Sequence, residues 1–189
     1  MQTRKSLTGL TLMFVAALTG SGQNLSNLPR AHEVVKLRVY VSLSPVPRER
    51  TFQIGVVAQI ADGFHINAHK VMEEYLVPTS LQAEMPKGVK VVETLYPDGA
   101  MQKFTFSEKL LNVYEGDVTL RLKVEVSSGA RLGPATQTLT LRYQACNDRA
   151  CLPPVKLPVT VEFTIADAGA RANVIHPEIF QTKAPPKKK

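Results

Sequence analysis

From Val35 to Val41 the chain reads Val-Lys-Leu-Arg-Val-Tyr-Val, and from Val118 to Val126 it reads Val-Thr-Leu-Arg-Leu-Lys-Val-Glu-Val. Apolar side chains at every second position share one face of an extended strand and leave the other face polar, so both runs are expected as half-buried strands. Residues 52–60, 80–83, 89–94, 138–143 and 155–165 are further strand-like runs, which makes about seven or eight strands in all. Breaks at Pro45-Val46-Pro47, Asp62-Gly63, Pro86-Lys87-Gly88, Pro97-Asp98-Gly99, Glu115-Gly116-Asp117 and Gly133-Pro134 punctuate them at the intervals of an antiparallel sandwich. The expected fold is all-β, a single-domain immunoglobulin-like antiparallel β-sandwich. One segment departs from the pattern. Ala68 to Leu76 is rich in helix formers, with Val71, Met72, Tyr75 and Leu76 at helical spacing, and is expected as a helical turn or a long crossing loop.

The ends follow different rules. Arg4 and Lys5 precede an apolar run from Leu7 to Leu18 and then the small residues Thr19-Gly20-Ser21-Gly22, the three-part layout of a secretory signal peptide. The run falls short of the roughly 20 residues a membrane-crossing helix needs, so export without a stable membrane span is expected. The division is signal peptide 1–22, linker 23–31, folded domain 32–168, and a C-terminal extension 169–189 with a Pro- and Lys-rich tail. Of the 23 Lys and Arg residues, six lie in the signal (Arg4, Lys5) or the tail (Lys183, Lys187, Lys188, Lys189), leaving 17 against 16 Asp and Glu. All but one unit of the formal charge of +7 is thus carried by the ends. The body keeps no basic stripe to track phosphates, and a nucleic-acid partner is not expected.

The sequence holds two cysteines, Cys146 and Cys151, separated by Asn147-Asp148-Arg149-Ala150 and followed by Leu152-Pro153-Pro154. In an exported protein two cysteines this close can pair. A disulfide that braces the loop is one reading, although a loop this short removes only about 2 kcal/mol of unfolded-chain entropy. A redox pair is the other. Asn147 and Asp148 favour a turn, Arg149 supplies a charge that favours a thiolate, and Pro153-Pro154 stiffens the exit. Exchange needs an accessible sulfur and a second thiol within reach, which this segment can provide.

Other chemistries find less support. His65, His69 and Met72 are soft-metal ligand types, but the histidine spacing helps only on a helix, and no metal is expected. No Gly-rich phosphate loop, Gly-x-Ser-x-Gly elbow or His-Glu-x-x-His run occurs. A non-catalytic binding module with a structural disulfide is the alternative to redox exchange.

The stretch Tyr143-Gln144-Ala145-Cys146-Asn147-Asp148-Arg149-Ala150-Cys151-Leu152-Pro153-Pro154, with the strand that follows it, resembles the N-terminal periplasmic domain of the thiol:disulfide interchange protein DsbD. Ala61-Asp62-Gly63-Phe64-His65-Ile66-Asn67 is similar to that family's Asp-Gly-aromatic segment, and Leu110-Leu111-Asn112-Val113-Tyr114-Glu115-Gly116 to the stretch after its cap, so that the resemblance covers residues 32–166. It implies a periplasmic immunoglobulin-like domain that relays electrons between a thioredoxin-like donor and periplasmic disulfide oxidoreductases, without a small-molecule cofactor. Carried over by position, Cys146 and Cys151 are the active pair, and Cys151 is the sulfur attacked. An aromatic cap shields the disulfide in the family, and Leu95-Tyr96-Pro97 is expected in that place, with Phe64, His65 and Tyr143 packing around the pair or serving as ordinary core. The cysteines are one residue closer together than in some members. The 189 residues hold neither the membrane-spanning nor the thioredoxin-like domain of full-length DsbD, so the expected donor is a separate protein.

Overall fold

The alternation in residues 35–41 is realised as strand β1 (Val35–Val41), followed by β2 (Leu43–Ser44), β3 (Val46–Pro47), β4 (Thr51–Ile60), β5 (His65–Asn67), β6 (Ser80–Ala83) and β7 (Val89–Leu95). The second half contributes β8 (Ala100–Lys103), β9 (Leu110–Tyr114), β10 (Asp117–Val126), β11 (Gly133–Tyr143), β12 (Ala145–Cys146), β13 (Val155–Ala166), β14 (Asn173–Val174) and one helical turn, α1 (Pro177–Phe180). The computed structural model describes residues 28–181, so the expected signal peptide and the Lys-rich end of the tail lie outside the described residues. Among those described, no helix is long and apolar enough to cross a membrane.

Two four-stranded sheets, β1-β4-β10-β7 and β3-β13-β11-β6, share one hydrophobic core, the immunoglobulin-like sandwich expected. Ile54 and Leu120 from the first sheet and Leu139 and Leu141 from the second are fully buried. Each such side chain contributes about 1.5–3 kcal/mol on leaving water. Phe52 and Phe163 meet between the sheets, with ring centroids 5.2 Å apart. One pairing is not antiparallel: β13 runs parallel to the short β3 through Ile165 and Val46.

Strand β11 extends through Gly133-Pro134, where the sequence suggests a break, and pairs with β13 along its whole length. Proline lacks the N–H that a second neighbour would need. Pro134 and Pro158 are tolerated because β6 reaches β11 only at Leu139–Arg142, and β3 reaches β13 only at Ile165–Ala166. Beyond those contacts both strands are sheet edges.

The chain past β13 doubles back over the outer face of the first sheet. Strand β14 pairs with β2. Tyr40, Gly55 and Arg121 lie side by side across β1, β4 and β10, and each meets this segment. Tyr40 packs edge-on against His176, and Arg121 donates a hydrogen bond to the Phe180 carbonyl at 3.1 Å. Between them a Cβ at Gly55 would stand 2.8 Å from Ile179 Cγ2, so only glycine lets the segment lie flat.

A third sheet, β12-β5-β9-β8, carries a smaller cluster of its own, Leu76, Phe104, Leu111 and Val113, while its Ile66, Tyr114 and Ala145 join the main core. Residues 68–79 cross from β5 to β6 as a loop with one turn, closed by the Leu76 N–H on the Glu73 carbonyl at 3.2 Å. The helical spacing there is too short to nucleate a helix.

Candidate functional site

Strand β4 ends in a turn at Asp62-Gly63, where the Phe64 N–H returns to the Ala61 carbonyl at 3.1 Å. Gly63 sits at φ +76°, a left-handed conformation that side chains disfavour. The turn launches β5, which pairs with β9 on one side and β12 on the other. In that register Cys146 stands directly opposite His65.

Cys146 and Cys151 form a disulfide and face each other across an isolated antiparallel bridge. The four residues between them are held by Asn147. Its side-chain oxygen accepts from the N–H groups of Arg149 and Ala150, both at 2.9 Å, and its own N–H donates to the Ala150 carbonyl at 3.0 Å. Below the pair, the Leu152 N–H donates to the Ala145 carbonyl at 2.8 Å, and the Leu152 side chain is buried in the main core. The two cysteines differ in environment: Cys146 is 1% exposed, whereas Cys151 is exposed.

Over the disulfide turn lies the loop between β8 and β9. The Thr105 hydroxyl donates to the Asp148 carbonyl at 3.1 Å. Phe104 stacks on His65 with centroids 4.1 Å apart, and Phe106 continues the stack, 5.4 Å from Phe104. Phe104 is buried and Phe106 is 43% exposed. Sequence reasoning passed over this pair, although Phe-Thr-Phe at alternate positions next to a polar loop puts two aromatic rings on one side of an extended segment.

Leu95 and Tyr96 lie elsewhere. Leu95 ends β7, paired with Arg121 in the first sheet. The Tyr96 hydroxyl accepts from the Leu81 N–H at 3.0 Å, and its ring stacks on His69 at 3.6 Å. His69 Nδ1 is 2.9 Å from the Thr79 carbonyl, and the two side chains brace the crossing loop. Tyr143 is fully buried and donates its hydroxyl to the Ala31 carbonyl at 2.7 Å, fixing the short 3-10 turn at Ala31–Glu33. Burial pushes its pKa up to about 12. Phe64 is half-buried against the main core.

His65 is 2% exposed, and its Nε2 is buried without a hydrogen-bond partner among the described residues. Burial lowers its pKa below the usual histidine value, against the opposing pull of the Glu115 and Asp148 carboxylates. Those two and Asp62 line, with His65, a cleft of about 230 Å³. Met72 is 54% exposed, and among the described residues no group of three or more His, Cys, Asp or Glu side chains gathers to hold a metal.

A disulfide with one sheltered and one exposed cysteine can take a thiolate on the outward side and release the inner sulfur as leaving group. The comparison with protein families points to the same thiol–disulfide exchange. The family model described as thiol:disulfide interchange protein DsbD, N-terminal, matches residues 33–162. Solved structures similar to this chain include the DsbD N-terminal domain of Neisseria meningitidis in the reduced form, at 15% identity and a TM-score of 0.44, covering 79% of this chain and 95% of that one. Another is the N-terminal periplasmic domain of ScsB from Proteus mirabilis, at 12% identity and a TM-score of 0.45, covering 72% of this chain and 48% of that one. No curated protein matches the chain.

Proposed function

Since this chain belongs to the family of N-terminal domains of the thiol:disulfide interchange protein DsbD, we propose that it is an exported periplasmic electron carrier working through Cys146 and Cys151. In this reading a thioredoxin-like protein reduces the pair, and the resulting dithiol passes its electrons to periplasmic disulfide oxidoreductases. The donor's thiolate attacks Cys151, Cys146 leaves as thiolate, and a second donor thiol resolves the mixed disulfide, so that the donor is oxidised and the domain reduced. Phe104 and Phe106 are the cap that limits access to the pair.

The observation that carries the reading is the unequal exposure of the two cysteines. A brace has no need of an outward-facing half, and this turn is already closed by the hydrogen bonds of Asn147. The first test is the reduction potential, measured by equilibrating the purified chain in graded thiol–disulfide buffers and counting free thiols. A value between about −120 and −270 mV is expected, and one well below about −300 mV identifies a structural brace. Trapping with single-cysteine variants tests the direction of attack: Cys146→Ala is expected to form adducts with a thioredoxin-like partner and Cys151→Ala is not.

A further inference from the structure

The buried imidazole beside the disulfide has no role in the exchange described so far. His65 and Cys146 are directly opposed in the antiparallel pairing of β5 with β12. Residues so paired project to the same face, with Cβ atoms about 4.5–5.5 Å apart. Phe104 covers one face of the ring, which holds it in place. A buried polar nitrogen without a partner costs free energy of about 1–3 kcal/mol, and a site that keeps one invites the question of what it meets during turnover.

We propose that His65 is the proton acceptor for the Cys146 thiol when the reduced domain passes its electrons on. The proposal rests on the exchange reading above. The Cys151 thiolate first attacks a partner's disulfide, giving a mixed disulfide and releasing one partner thiolate. The Cys146 Sγ–H proton then passes to His65 Nε2. The Cys146 sulfur bonds to the Cys151 sulfur, the bond from Cys151 to the partner breaks, and its electron pair leaves on the partner's second sulfur, which takes up a proton. The partner's disulfide has become a dithiol, and the domain's dithiol a disulfide.

The surroundings suit an acceptor. Burial keeps the imidazole neutral and able to take a proton, while Glu115, following β9, and Asp148, on the disulfide turn, stabilise the imidazolium once it forms. Asp62 closes the cleft from the β4–β5 turn, and the loop side presents Phe104 and Phe106, which carry no charge. A buried cysteine needs such a base, because burial disfavours its thiolate.

The test starts from the purified reduced chain loaded at Cys151 with glutathione, and follows release of glutathione as the disulfide re-forms from pH 5 to 10. At pH 7 His65→Gln is expected to close about a hundredfold more slowly than wild type, the lower end of the usual range for general base catalysis. The two rates are expected to converge as pH rises through the thiol range, where no base is needed. A purely structural role predicts a constant ratio at every pH, and either a constant ratio or identical profiles would overturn the proposal. Should His65→Gln fail to fold, NMR titration of the His65 ring in wild type decides. A midpoint that moves between the disulfide and dithiol forms supports the proposal, and an unmoved one overturns it. If wild type takes up no glutathione at all, the exchange reading itself fails; if it exchanges with an unaltered profile in the variant, only the role of His65 does.

Discussion

The Thr105 hydroxyl donates a hydrogen bond to the Asp148 carbonyl at 3.1 Å, and this contact ties the aromatic loop to the backbone of the disulfide turn. Phe104 and Phe106 are thereby registered over His65, on the strand that carries Cys146 opposite. Aromatic loop and disulfide turn are thus parts of one packed unit.

Access to the disulfide is expected to respond to these rings unequally. Phe106 is 43% exposed, so Phe106→Ala should leave stability within about 1 kcal/mol while speeding reduction by dithiothreitol severalfold. Phe104→Ala removes a buried ring from the small cluster and should cost about 3 kcal/mol as well as exposing the pair. Stopped-flow reduction and thermal unfolding of both variants check this. Unchanged reduction rates in both would show that the loop shields nothing.

Asn147 organises the turn through two accepted hydrogen bonds. Its replacement by alanine should loosen the dithiol loop and hold the sulfurs together less well. The expected loss is about 1 kcal/mol, which raises the reduction potential by about 20 mV. Redox equilibration against glutathione reads the shift, and a potential unmoved by the substitution would assign the turn's geometry to the disulfide alone.

The C-terminal segment depends on Gly55. Gly55→Val puts carbon into the space of Ile179 and Phe180 and should release residues 173–181 from the sheet, at a cost of about 1–3 kcal/mol. Hydrogen exchange should rise over 173–181 and stay low over β4 and β10. Protection retained at 173–181 would refute the docking.

Tyr143 links stability to alkaline pH. Its folded pKa, about 12, lies above the ordinary tyrosine value near 10, so the folded state holds the proton more tightly. The stabilisation is fully present below pH of about 10 and is lost as pH rises towards about 12, amounting to about 2–3 kcal/mol. Denaturant melts between pH 8 and 11 should show the decline in wild type, and Tyr143→Phe should flatten it. An equal decline in the variant would place its origin elsewhere.

Most of the long strands were legible because each had room to alternate, although β11 is expected only from residue 138 and its first five residues read as a break. The bounds expected for residues 35–41 and 80–83 coincide with β1 and β6, and those for 155–165 fall one residue short of β13. Strands β5 and β12, of three and two residues, were not, since a period of two cannot be read in so short a run. Yet these strands set His65 against Cys146. The cysteine pair stood out through its spacing, and its family resemblance supplied what composition left open between brace and carrier. The aromatic loop was missed because Leu95-Tyr96-Pro97 follows a clear strand, whereas Phe104 and Phe106 acquire their meaning only when the β8–β9 hairpin folds over β5. The docking of residues 173–181 had no sequence signal beyond a glycine in mid-strand, which marks the close approach of another segment.

Leu76, Phe104, Leu111 and Val113 form a cluster separate from the sandwich core. Lifting the aromatic loop therefore disturbs chiefly this small cluster, whereas Ile66, Tyr114 and Ala145 of the same sheet are packed in the main core. The side chains that cover the histidine beside the disulfide are thus packed largely apart from the sandwich interior, so a change among them is felt at the site before it is felt in the scaffold.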